Sequence, residues 1–298
     1  MASEKNLNAV FSDIANSIRS KKGTTGTIQP INMASEIDSI ETGSVDTRFK
    51  EIAEGTITSV DDSTITTVND YAFAYIRSLT SVNLPNATYL GPNAFWYCEA
   101  LENINLNNVI IVERYALSHT GVTAISLPKA TTIYGGAFNG NSNLITVSIP
   151  SVTKFIDNYS FAYCPNLVSV DMNFPIVGGY DFYNCSSLKS AKIKLNSNNY
   201  ASGVFSNCSS LERVEIDDGY MIGSYCFDKC SLLKQLIIRK KTTRVALQNS
   251  AVFENTPIAT STTEGFIYVP DDLVESYKSA TNWTAYASKI KGLSELGE

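Results

Sequence analysis

With 298 residues, 44% of them hydrophobic, the chain holds enough apolar material for a core, while its 17% charged residues fall below the roughly one quarter of an average globular protein. The formal net charge of −6 excludes a general binder of the phosphate backbone, so no nucleic acid is expected as a partner. No stretch approaches the ~18 apolar residues of a membrane span and no signal-peptide-length apolar run stands near the start, so a soluble product without membrane insertion is expected.

The first predicted element is a helix. Leu7, Val10, Phe11, Ile14 and Ile18 fall at i, i+3, i+4, i+7 spacing, which places them on one apolar stripe that Gly23 closes. A second short helix follows Pro30, with Met33, Ile37 and Ile40 on one face, and "ETGSVDT" reads as a linker. A helical hairpin of about 40 residues is too small to bury its own stripe. Residues 1–43 are therefore expected to attach and self-associate through those five residues, giving a homo-oligomer.

From residue 44 to 270 the sequence repeats. Nine anchors, Phe73, Phe95, Leu117, Phe138, Phe161, Phe182, Phe205, Phe227 and Phe253, recur every 21 to 23 residues, with 26 before the last. A leucine usually stands six residues after the anchor, then apolar residues alternate, as in Val82 and Leu84 or Val147 and Ile149. Alternation with β-branched residues predicts a short strand with one buried face, and "TYLGPNAF" or "TTIYGGAF" a second extended piece before the next anchor. One such coil cannot bury its own frame, so coils must stack. The third copy, "ALSHTGVTAISLP", is one residue short, and its register is expected to survive.

Cys98, Cys164, Cys185, Cys208 and Cys230 all stand three residues after an anchor, which predicts a buried ladder of small side chains with reduced thiols. In the strand slots, Lys192 and Glu215 alternate in sign and are expected to pair across coils. Past Pro270, residues 271–298 are expected to form a helical cap, with Trp283, Tyr286, Ile290 and Leu293 on an apolar face.

The repeat unit resembles the BspA-like leucine-rich repeats, whose units run close to A-F-x-x-C-x-x-L-x-x-V-x-I-P. The resemblance implies a mainly β solenoid, and surface adhesins and host-interacting proteins are prominent in that family. The stretch "NLNAVFSDIANSIRSKKGTTGTIQPINMASEIDSI" resembles an N-terminal module of tail-associated bacteriophage structural proteins. That second resemblance implies a virion protein with other virion proteins as partners, in place of a secreted bacterial cell-surface adhesin.

Nothing in the sequence points to chemistry. The one histidine, His119, has no serine or cysteine arrangement around it that would make a triad, and the adjacent pairs Asp61/Asp62, Asp217/Asp218 and Asp271/Asp272 are better read as turns and caps than as the carboxylates of a glycan hydrolase. No cofactor and no metal are expected, and the reading is non-enzymatic. Aromatic residues beyond the core frame are the candidates for contact with a host-surface glycan or protein: Tyr75, Tyr97, His119 and Tyr163, each two residues after an anchor, and Trp96 beside them.

Overall fold

The computed structural model describes residues 56–171, 175–176, 178–195 and 202–297, and Leu7, Val10, Phe11, Ile14 and Ile18, expected from the sequence to serve attachment, lie outside them. Within the described part the chain is a parallel β-solenoid. Each coil runs strand, bend, strand and anchor turn, so coil 1 holds β1 (Ser59–Asp61), β2 (Thr67–Val68) and Phe73. Coil 2 holds β3 (Ser81–Asn83) and β4 (Tyr89–Leu90), coil 3 β5 (Asn103–Asn105) and β6 (Ile111–Val112), coil 4 β7 (Ala124–Ser126) and β8 (Thr132–Tyr134). Coil 5 holds β9 (Thr146–Ser148) and β10 (Lys154–Ile156), and β11 (Ser169–Asp171) opens coil 6.

Both strand rows are parallel, and through coils 1 to 3 both pair one coil to the next in register, as in Val82 with Ile104 and Leu90 with Val112. The buried residue of each strand is the one the alternation predicts: Val82, Ile125 and Val147 point inward. The short third copy leaves a mark that the pattern does not announce. The second row runs unbroken through β6 and β8, but the first row stops at β5 and starts again at β7. One residue too few after Leu117 pulls the backbone out of reach of β5, and Asn105 Oδ1 at that seam is buried without a hydrogen-bond partner.

The anchors form the core ladder. Phe73 stacks on Phe95 at 5.1 Å, and Phe138, Phe161, Phe182, Phe205, Phe227 and Phe253 stack in sequence at 5.1 to 5.8 Å with planes within 11° of parallel. Leu117 interrupts the aromatic run but stays fully buried. Three residues on, the thiols of Cys98, Cys164, Cys185, Cys208 and Cys230 each donate to the carbonyl of the anchor one coil back, at 2.9 to 3.3 Å. All six cysteines are free and buried, and burial raises every thiol above its usual range. Asn141 takes the same slot in coil 4 and donates through Nδ2 to the Leu117 carbonyl at 2.8 Å.

The later first-row strands lengthen. Ser190–Leu195 pairs with Arg213–Asp218, which pairs with Gln235–Ile238, then Phe266–Val269, then Ile290–Gly292. Their outward face carries the expected ion pairs: Glu215 lies 3.0 Å from Lys192 and 2.8 Å from Arg239, and hydrogen bonding from Arg239 takes its carboxyl down to about 2. At the C-terminal end the helical expectation needs correction at Ile290. The cap is made of short pieces, a helix at Val274–Lys278 and a 3-10 turn at Thr284–Lys289, and Ile290 belongs to the last strand. The open edge of Phe266–Val269 offers a hydrogen-bonded ladder that outweighs the helical spacing of the apolar residues. Trp283 and Tyr286 close the phenylalanine ladder at Phe253, Tyr286 edge-on at 5.0 Å.

Two measurements check this core. Phe161→Ala should cost about 3 to 5 kcal/mol in chemical denaturation, against well under 1 kcal/mol for Thr146→Ala on the exposed strand face. Asp181, in the slot before its anchor where coils 1 to 4 carry alanine, is 3% exposed, and burial lifts its carboxyl to about 7 against the hydrogen bond from Ser160 N–H. The folded state thus keeps a proton that the unfolded chain loses above pH ~4, so stability falls as pH rises from about 4 to about 7 and levels off beyond. Asp181→Ala should flatten that slope in a pH series of denaturation midpoints.

Candidate binding face

The anchor turn has a backbone requirement that the residue types hide. In all nine coils the residue two after the anchor has positive φ, and the residue two before it does so in coils 1 to 8. The reason is hydrogen bonding along the solenoid axis. Tyr71 N–H donates to Pro92 O at 3.0 Å, Phe73 N–H to Ala94 O at 2.8 Å and Tyr75 N–H to Trp96 O at 2.7 Å, and the pattern repeats coil after coil. The intervening N–H groups turn back within their own coil, as Ala74 does to Tyr71 O. Left-handed residues at the two flanks allow both directions within five residues.

For an L-residue with a side chain this conformation costs about 1 to 2 kcal/mol, and glycine or asparagine is the usual solution. The chain uses both: Gly136, Gly140 and Gly203, and Asn93, Asn184, Asn207 and Asn255. Yet eight of the slots hold tyrosine (Tyr71, Tyr75, Tyr97, Tyr115, Tyr159, Tyr163, Tyr180 and Tyr225) and one holds His119. Turning the chain does not require those rings.

The rings line one face of the solenoid in two groups. In coils 1 to 3, Tyr75 stacks on Tyr97 at 5.4 Å, Tyr97 on His119 at 4.3 Å, and Trp96 stands edge-on to both tyrosines at 5.0 and 5.1 Å. Four of the five candidate residues thus come together. The fifth, Tyr163, belongs to a second group in coils 5 and 6, where Tyr159 stacks on Tyr180 at 5.3 Å and Tyr183 meets Tyr163 and Tyr180 edge-on. Tyr183 escapes the sequence reading, although it follows its anchor directly, as Trp96 does. Burial and the neighbouring Tyr180, Tyr163, Tyr115 and Tyr183 hold the Tyr159 hydroxyl above its usual range.

Between the groups lies coil 4, with Gly136 and Gly140 in the two ring slots. The ring of Tyr115 lies where a Cβ on Gly136 would stand, 2.2 Å from its Cε1, and the ring of His119 lies 2.5 Å from a Cβ on Gly140. Arg114 and Asp157 form an ion pair that spans coil 4, past Gly135 and Gly136.

The groups that suggested chemistry are engaged structurally. His119 Nδ1 lies 2.8 Å from Ser118 Oγ, and burial lowers the imidazole's pKa. Asp61 accepts from Asn83 Nδ2, Asp62 closes a turn on Thr64, Asp218 accepts from Gly219 N–H, and Asp271 accepts from the hydroxyl and N–H of Ser294. Among the described residues no cluster of three or more His, Cys, Asp or Glu side chains is placed to hold a metal ion.

The family described as BspA type leucine rich repeat region matches residues 46–168 and 156–273, in six copies. Among solved structures, the chain is similar to a leucine-rich repeat protein from Bacteroides ovatus, at 19% identity over 65% of this chain and 70% of that one with a TM-score of 0.39. It is similar also to a leucine-rich repeat protein of T. pallidum, at 23% identity over 57% and 72% with a TM-score of 0.40. The pneumococcal vaccine antigen PcpA is similar at 14% identity over 78% and 76%, with a TM-score of 0.42. No curated protein sequence matches the chain.

The glycine slots give a direct test of the face. Gly136→Ala should lower stability by about 2 kcal/mol or more, from a strained φ of +69° and the displaced Tyr115 ring. Adding Tyr115→Ala should recover part of that loss in a double-mutant cycle read by denaturation midpoints.

Proposed function

Because the chain belongs to the BspA type leucine-rich repeat family, we propose that it is a non-enzymatic adhesion protein whose aromatic face is its recognition surface. One observation carries this reading: tyrosine occupies eight left-handed positions at which the same chain elsewhere uses glycine or asparagine. A cost of about 1 to 2 kcal/mol at each of these positions is retained where the backbone gains nothing from the ring. Rigid tyrosine and tryptophan side chains give broad contact area at low entropic cost, with a hydroxyl or N–H at the rim.

The carrier of this surface is a bacteriophage virion, in a tail, fibre or baseplate position. What supports that placement is the resemblance of residues 6–40 to the N-terminal module of tail-associated proteins, together with an apolar stripe of Leu7, Val10, Phe11, Ile14 and Ile18 that asks for a partner. In this reading residues 1–43 attach the protein to other virion proteins and join copies of the chain, while the solenoid meets the host. A bacterial cell-surface adhesin is the second reading, favoured by the family match itself.

Deleting residues 1–43 separates the two roles. The truncated protein should remain folded, with the same denaturation midpoint, and should fail to enter particles or to oligomerise in sedimentation measurements. Phe11→Asp combined with Ile14→Asp should reproduce the failure, since two carboxylates cannot be buried cheaply at a helix interface. Normal assembly of either variant would move attachment to the solenoid and reverse the assignment.

A further inference from the structure

Coil 4 is the opening in the aromatic face. Rings in adjacent coils cover one another, so a coil without rings leaves the next rings uncovered on one side. Tyr159 and Tyr163, which follow Gly136 and Gly140, are 37% and 49% exposed. The relation recurs in coil 8, where Tyr225 follows Gly203 and is 46% exposed, whereas Tyr180, stacked behind Tyr159, is half-buried. On the near side of coil 4, Tyr115 is 41% exposed and lies over the Gly136 backbone. The ring of Tyr115 leans into the Gly136 slot and that of His119 into the Gly140 slot, so what coil 4 leaves open is the exposed side of Tyr159 and Tyr163, on which one flat ring can lie.

The surroundings select the chemistry of that ring. The arginines that flank the face are paired within the chain, Arg114 with Asp157 and Arg77 with Glu99, so an anionic ligand gains little there. Main-chain pairing with a peptide strand is closed off as well, because Gly136, Phe138 and Gly140 already donate to Asn158, Ser160 and Ala162 of the next coil. What remains is the exposed rings of Tyr115, Tyr159 and Tyr163, with Tyr183 edge-on to Tyr163, each carrying a hydroxyl. A pyranose matches this arrangement, with one apolar C–H face to lie on a ring and a rim of hydroxyls to exchange hydrogen bonds.

We infer that the opening at coil 4 is a subsite for one neutral hexopyranose unit of a surface glycan, stacked on Tyr159 and Tyr163. The inference rests on the reading of the aromatic face as the recognition surface and names what it recognises.

The test is titration calorimetry of the full chain with cellohexaose, chitohexaose, maltohexaose and mannohexaose, and with heparin and polysialic acid as charged comparators. At least one neutral hexasaccharide should bind saturably, and the charged polymers should not. Tyr159→Asn and Tyr163→Asn should each weaken that binding tenfold or more, asparagine being the residue that serves the same turn at Asn184 and Asn207. Tyr220→Asn, which removes a ring 60% exposed outside the anchor turns, should leave it unchanged. Circular dichroism and the thermal midpoint report whether each variant is folded. If an asparagine variant unfolds, the glycine variant of the same residue replaces it and should weaken binding by as much, glycine being the residue that serves the same two turn positions at Gly136 and Gly140. Absence of binding to every neutral sugar, binding of the charged polymers only, or equal binding by all variants overturns the inference. Attachment to host cells distinguishes this from failure of the underlying reading. Attachment lost in the tyrosine variants but unaffected by free sugar keeps the recognition face and removes the glycan, whereas attachment unchanged in the variants removes the recognition face itself.

Discussion

Every coil has to hand its backbone hydrogen bonds forward to the next one, and the anchor turn is where that demand is hardest to meet. At the anchor and at its two flanking positions the N–H groups point along the axis, while those between them point back. A buried amide without a partner costs on the order of a full hydrogen bond, so the left-handed residues at these flanks are dictated by the stacking itself. The phenylalanine ladder, the thiol ladder and the aromatic face all follow from that fixed turn. The anchor points inward because its neighbours reverse the chain around it, and the flanking side chains are turned to the same outer face in every coil.

The inner ladders have different chemistry at equal spacing. Stacked phenylalanines hold the middle of the core, and three residues further on cysteine adds a second donor to an anchor carbonyl, as at Phe73 and Phe182, which already accept from the N–H of Ile76 and Cys185. A thiol is small enough for a close-packed slot and still offers a weak donor. Where coil 4 uses Asn141 in its place, the longer amide also accepts from the N–H of Thr120 at 2.7 Å, joining coils 3 and 4 beside the seam in the first strand row.

The frame was legible because burial selects residue type. A slot that must be apolar, like that of Phe161 or Leu167, shows the same chemistry in copy after copy, and its period gives the solenoid. The left-handed slots were not legible in the same way, since tyrosine has no preference for positive φ. The available signal was substitution between copies: a position that is Tyr97 in one coil, Gly140 in another and Asn184 in a third is a turn position whose common property is conformation. For the candidate site, position relative to the anchor grouped Tyr75, Trp96, Tyr97 and His119, which do lie together, with Tyr163, although one coil with its pair of glycines intervenes. Ile290 illustrates the opposite failure, where a helical spacing was present and an unpaired strand edge prevailed.

The interruption of one strand row between Asn103–Asn105 and Ala124–Ser126 gives the solenoid a mechanical grain. Coils 1 to 3, and likewise coils 4 and 5, are tied along both rows, whereas at this seam the second row and the anchor turns hold alone. A protein pulled from its two ends, as one bridging a particle and a surface is, concentrates extension at the boundary with the fewest bonds. Coils 1 to 3 would part from coils 4 and 5 there before the coils on either side of the seam separate, so the stacked rings of coils 1 to 3 keep their own scaffold under load.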